Sequence, residues 1–176
     1  MIIQRTTRRS YRQAAGVLAR AFLAEPVSQA IYSGLTPSQQ LRNLSLDFTG
    51  ELAVCRRRGE PFELWQGERL AAAAAIYPPG TLPLPRLAQL YLSLTAIWGH
   101  ARYDYRRWAA WLDEVGQQHP QTPHYYLEYL GVEPSLQGKG LGSRLLEELT
   151  RRSDHAGVGC FLETATPRNL PLYQRF

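Results

Sequence analysis

The run LGVEPSLQGKGLGSRLLEEL, from Leu130 to Leu149, constrains this chain more than any other stretch. A short apolar segment enters a turn holding Gly138, Gly140 and Gly142, and a helical repeat leaves it. Lys139, the only lysine of the chain, sits inside the turn. A strand, a glycine turn and a helix in that order can aim backbone at an anion. Where side chains are absent, successive N–H groups can converge on one point. The start of the following helix adds about half a positive elementary charge.

The spacing separates the known designs of this kind. A Walker loop needs Ser or Thr after Gly-Lys, and Gly140 stands there. A dinucleotide fingerprint starting at Gly138 needs glycine at 143, where Ser143 stands, and it belongs near the first strand of a fold. What remains is Gln137, Gly138, Lys139, Gly140, Leu141 and Gly142 wrapped around a diphosphate, with Lys139 adding a charge or turning to water. A turn that merely joins strand to helix is the alternative reading. Leu141, Leu145, Leu146 and Leu149 mark the buried stripe of the helix, and Glu147–Arg151 and Glu148–Arg152 are spaced for exposed i,i+4 pairs.

Other segments supply the rest of an α/β domain. MIIQRTT reads as a first strand. Ala14, Val17, Leu18, Ala21 and Phe22 follow on a helical period that Pro26 is expected to stop. A second helix runs from about Thr36 to Arg58, started by Pro37 and Ser38, with Leu41, Leu44, Phe48, Leu52 and Val54 on its inner face. Phe62–Gln66 and Leu70–Tyr77 flank a polar turn and predict a hairpin, although alanine propensity alone would also allow a helix over the second segment. From Leu84 to Gln118 the chain is helix-like and carries Tyr91, Trp98, Tyr103, Tyr105, Trp108 and Trp111. Such residues make core or line an apolar pocket. HYYLEYLGV then predicts the strand that feeds the glycine turn.

With 176 residues, 44% hydrophobic and 20% charged, one domain over 1–176 is expected. No apolar run approaches the roughly 20 residues of a membrane span, and the N-terminus lacks a secretory pattern, so a cytoplasmic protein without a membrane partner is expected. Cys55 and Cys160 lack metal-site spacing, which predicts free thiols and no metal. The net charge of +5 comes from arginines dispersed along the chain, against a nucleic-acid face. Their densest cluster, Arg56 to Arg58, suits a helix C-terminus.

The glycine run resembles the acyl-CoA signature of the GNAT superfamily of N-acetyltransferases: Gln or Arg, Gly, any residue, Gly, any residue, Gly or Ala. Val132-Glu133-Pro134 resembles the strand end that precedes it in that family. GVGCFLETATPRNLPLYQRF is similar to the family's next strand and helix, and its FLET and PRNLP runs resemble the puromycin N-acetyltransferase-like branch. The resemblance implies a mixed central sheet flanked by helices, acetyl-CoA as cofactor and an amine as acceptor. It further implies that the strand holding Leu130 and Val132 pairs with the pantetheine arm, that a neighbouring parallel strand splays away to admit it, and that Asn169 contacts it. A plain helix cap is the alternative for Asn169.

Amine acetylation sets two proton problems. An alkyl ammonium of pKa about 10 must lose a proton before it attacks. Strand alternation puts Glu128 on one face with Leu130 and Val132, making it the candidate base, against a surface carboxylate paired to arginine. The departing thiolate needs a hydrogen-bond donor, and Tyr173 matches the family's tyrosine, against a role in core packing. The N–H of Leu130 is the expected oxyanion donor. Family members continue beyond the tyrosine helix with two more strands, so a longer chain is expected, or a homodimer whose second copy covers the open edge. A small-molecule amine is the expected acceptor. A protein N-terminus or lysine, and a non-catalytic acyl-CoA sensor, are the alternatives.

Overall fold

The structure, a computed structural model, describes the backbone of residues 1–100 and 114–176 and the side chains of all of these but 95–100. Trp98, Tyr103, Tyr105, Trp108 and Trp111, the aromatic residues expected to make core or an acceptor pocket, have side chains outside the described residues. Strand β1 (Ile2–Arg5) leads into α1 (Tyr11–Phe22), α2 (Pro26–Ile31) and α3 (Pro37–Arg58). The hairpin β2 (Phe62–Gln66) and β3 (Arg69–Tyr77) precedes α4 (Arg86–His100), and β4 (His124–Val132) follows. A 3-10 turn at Pro134–Leu136, α5 (Leu141–Ala156), β5 (Gly159–Phe161) and the short α6 (Leu170–Tyr173) complete it.

The five strands form one sheet in sequence order, antiparallel except for the β4–β5 pair. That last pair is parallel because α5 carries the chain back over the sheet in a crossover. The expected mixed sheet between helices is therefore present. Helices α1 and α3 cover one face, packing on Ala73, Ala75 and Tyr77. Helix α5 covers the other through Leu141, Leu145, Leu146 and Leu149, packed with Ala72, Ala74 and Ile76.

This double burial explains why the alanine run is a strand. Hydrogen-bonded on both edges by β2 and β4, β3 needs small side chains so that helices can approach both faces, and Ala71 to Ala75 are fully buried. A similar close approach fixes α1 on β4. A Cβ at Gly131 would stand 2.9 Å from Leu18 Cδ2 and 3.0 Å from Ala21 Cβ, so only glycine allows the crossing.

Two local expectations are corrected. Helix α1 ends at Phe22 before reaching Pro26, which instead occupies the first turn of α2, where its missing N–H costs nothing. On α5, Arg151 pairs with Glu148 at 2.8 Å and not with Glu147, because Glu148 also binds Arg152 at 2.7 Å and gathers both guanidinium groups. Helix α3 begins as predicted, with Pro37 in its first turn and Gln39 Oε1 accepting from the Thr36 N–H at 3.0 Å, and it ends on Arg56, Arg57 and Arg58. Both cysteines are free thiols, Cys55 buried and Cys160 exposed. Among the described residues no helix is long and apolar enough to cross a membrane.

Candidate active site

Strands β4 and β5 pair only over His124–Gly159, Tyr125–Cys160 and Tyr126–Phe161. Beyond these pairs they part, and a cleft of about 770 Å³ opens between Leu127–Val132 on one side and Leu162–Ala165 on the other. The splayed pair expected from the resemblance thus borders this cleft on both sides. The backbone of β4 faces into it. Glu133 donates its N–H to Ala71 O at 2.9 Å, so Val132 and Leu130, opposite Ala72 and Ala74, turn their N–H and C=O away from β3 by antiparallel alternation. Gln137 Nε2 donates to Val132 O at 3.2 Å and ties the glycine turn to the strand end.

That turn closes one end of the cleft. Gly138 and Gly140 adopt φ of +73° and +76°, left-handed values that ordinary side chains disfavour, and no atom lies within 4 Å of a Cβ built on either. Among the described residues no protein acceptor meets the backbone N–H groups from Gly138 to Ser143; the next, Arg144 N–H, closes the first turn of α5 on Gly140 O. Unpartnered amides at a helix start have the geometry and polarity to receive a diphosphate, and the residues present fit coenzyme A. Gln137, Gly138, Gly140, Leu141, Gly142 and Asn169 line the cleft with Leu130 and Val132. Lys139 does not. Its exposed ammonium bends back toward Ser135 O at 3.4 Å, outside the cleft lining. Asn169 stands at the N-cap position of α6, and its side chain makes no capping hydrogen bond there.

The expected placement of Glu128 is corrected. The β3–β4 register slips between Ala75–Tyr129 and Ile76–Leu127, leaving Glu128 as the extra residue of a β-bulge. Alternation therefore shifts by one. Leu127, Leu130 and Val132 share the α5 face, whereas Glu128 turns toward the α3 side, near Glu51, Tyr77, Cys55 and Tyr129. It still lines the cleft, half-buried, and no arginine pairs with it among the described residues. Burial and the charges of Glu51 and Glu163 hold its carboxyl well above the usual range. Its Oε2 is buried without a hydrogen-bond partner.

Tyr173 approaches from α6, half-buried, with Leu172 beside it in the cleft wall. Burial, then the charge of Glu25, raises its pKa, so the phenol keeps its proton. Glu25 accepts a hydrogen bond from Thr166 Oγ1 and tethers the α1–α2 corner to the segment that carries Tyr173.

Several lining residues were not read as site residues from the sequence, Phe22 and Phe48 having been expected only on the inner faces of their helices. Phe22, Phe48 and Tyr129 form an aromatic cluster with ring centroids 5.0 to 5.9 Å apart. Glu163 accepts from Tyr126 Oη at 2.5 Å. Glu51 stands one helical turn after Asp47, and burial followed by the Asp47 charge pushes its carboxyl up to about 8. The spacing Leu44, Phe48, Leu52, Cys55 was the available signal, since Asp47 and Glu51 fall on the margin of that buried stripe.

Comparison with known proteins agrees with the fold. The sequence model of the Acetyltransferase (GNAT) family matches residues 54–176. A Corynebacterium glutamicum protein, described as a histone acetyltransferase and related acetyltransferase, shares the fold with a TM-score of 0.66 at 22% identity, over 98% of this chain and 81% of its own. Arylalkylamine N-acetyltransferase 2 from Aedes aegypti gives a TM-score of 0.65 at 14% identity, over 99% of this chain and 80% of its own. A GNAT family acetyltransferase from Brucella melitensis, solved with acetyl-CoA, gives 0.53 at 14% identity, over 97% and 80%.

Proposed function

The chain belongs to the acetyltransferase (GNAT) family, an acetyl-CoA-dependent transferase, and from that premise we propose that it acetylates the primary amine of a small molecule by direct attack in a ternary complex. One observation carries this reading: a single cleft runs from the partnerless amides of 138–143 to Glu128 and Tyr173. When bound, acetyl-CoA supplies the acyl thioester. The amides from Gly138 to Gly142 hold its diphosphate, Leu130 and Val132 pair with the pantetheine arm as an added strand would, and Asn169 adds a side-chain contact.

The chain's own groups then manage charge and protons. Glu128 takes a proton from the ammonium, and a carboxyl held above its usual range is better matched to a donor of pKa about 10 than an ordinary one. The N–H of Leu130 offers a hydrogen bond to the carbonyl oxygen as negative charge grows there. Tyr173, kept protonated, donates to the sulfur as a thiolate of pKa about 8.5 departs.

Phe22, Phe48 and Tyr129 beside Glu128 suit an amine carried on an apolar or aromatic body. With the FLET and PRNLP runs, they support an acceptor of the puromycin type. Two free thiols fit a reducing compartment such as the cytoplasm.

Thiol release from acetyl-CoA over a panel of small amines and peptide N-termini tests the proposal. Turnover of an aromatic primary amine is expected, with Glu128→Gln lowering kcat by about 100-fold or more and Tyr173→Phe by about 10-fold or more. Coenzyme A binding with no release from any amine overturns transfer, and turnover of peptides alone overturns the small-molecule class.

A further inference from the structure

We propose that Glu51 and Glu128 form a two-carboxylate cradle that admits the acceptor as its ammonium ion, Glu51 holding the charge while Glu128 removes the proton. The inference rests on the N-acetyltransferase reading above and adds Glu51 as the residue that selects a cationic acceptor.

The geometry is specific. Glu51 comes from α3 and Glu128 from the β4 bulge, yet both line the same cleft beside Phe48 and Tyr129. Among the described residues, the Oε2 atom of each is buried without a hydrogen-bond partner. A buried carboxylate oxygen left unmatched is costly, so a charged donor delivered between the two offsets what the fold leaves unsatisfied. Among the described residues, the groups acting on the pair are acids or neutral hydroxyls and thiols: Asp47 and Cys55 from α3, Tyr77 from β3, Tyr126 and Tyr129 from β4, and Glu163 beyond β5. The described arginines of the cleft, Arg168 and Arg175, belong to the Tyr173 segment, and Arg168 lies 4.0 Å from Glu25.

Burial and the Asp47 charge raise the proton affinity of Glu51, and burial with the charges of Glu51 and Glu163 raises that of Glu128, so the pair retains a proton near neutrality. An entering ammonium displaces that proton to solvent and leaves both carboxylates charged. One then pairs with the cation and the other is free to act as base. The acceptor nitrogen sheds two protons in all, the first to Glu128 before attack and the second as the C–N bond forms and the C–S bond breaks. One proton ends on the coenzyme A sulfur by way of Tyr173, and the other leaves through Glu128.

The test uses the whole chain saturated with coenzyme A. Puromycin, 2-phenylethylamine and cadaverine are titrated calorimetrically at pH 7 in phosphate and in Hepes, with 2-phenylethanol as the uncharged isostere. At least one amine is expected to bind with release of between about half and one proton, read from the difference between buffers, and the alcohol at least about 10-fold more weakly. In Glu51→Gln, amine KM should rise about 10-fold with kcat within about 3-fold, proton release should fall, and the rising limb of kcat/KM should move to lower pH because one charge fewer faces Glu128. Glu51→Asp should recover part of the KM. Melting temperature and coenzyme A affinity identify a misfolded variant, and the wild-type titration stands without it.

Buffer-independent heats, an unchanged KM in a folded Glu51→Gln protein, or no binding by any of the three amines overturns the cradle. If turnover persists in those cases, the transferase reading survives. Absence of turnover with every amine removes both.

Discussion

Replacing Gly138 or Gly140 by alanine separates backbone geometry from bulk, because nothing lies within 4 Å of a Cβ at either position. The cost is conformational. A non-glycine residue at φ near +75° is disfavoured by about 1–2 kcal/mol, and the stiffer unfolded chain returns about 0.4–1 kcal/mol, leaving a net loss near 1 kcal/mol. That loss can appear in two places. If the turn keeps its shape, folding stability falls; if it relaxes to negative φ, the amides rotate off the diphosphate and coenzyme A affinity falls instead, by up to about 10-fold for 1.4 kcal/mol. Gly67, at φ of +59° in the β2–β3 turn with equally open space around it, is the internal control. Chemical denaturation and calorimetric titration with coenzyme A should show Gly67→Ala losing stability alone, and Gly138→Ala and Gly140→Ala losing affinity as well. If both turn variants bind coenzyme A as tightly as wild type, or if Gly67→Ala weakens it equally, the cradle argument is refuted.

Two further outcomes follow from the core and its buried charge. Glu51 binds its proton more tightly folded than unfolded, so the stability it lends is complete below about pH 4.5 and is lost as pH rises toward about 8. Each tenfold change in proton affinity is worth about 1.4 kcal/mol, so Glu51→Gln should flatten the decline in denaturation midpoint between pH 5 and 8, whereas an unchanged slope would deny the effect. Leu145→Ala, at a side chain 2% exposed under the sheet, should cost about 2–5 kcal/mol in urea denaturation, and a cost below 1 kcal/mol would mean that α5 is not packed as described.

How far the sequence could be read follows from how local each feature is. The β4, turn and α5 unit depends on glycine conformation and on one helix stripe, both confined to some twenty residues, and its boundaries and buried leucines were legible. The open strand pair followed from resemblance and then from three short backbone pairings. Glu128 was legible as a candidate but not its direction, because a bulge leaves no mark in a strand that still alternates on both sides of it. Glu51 and Glu163 were opaque for another reason. An acid on a helix margin or after a short strand looks solvated until tertiary packing brings it beside another. The Lys139 side chain was the opposite case, conspicuous in composition yet turned from the cleft toward Ser135 O.

The bulge at Glu128 also says what kind of genetic change this site resists. A substitution there alters one functional group and leaves the ladder as it is, but excising a single codon would let β4 and β3 zip together without interruption. The product would be a more regular sheet, better by the ordinary standards of strand pairing, without the carboxylate proposed as its proton acceptor. In this chain, regularity and the proposed chemistry compete for one residue of length.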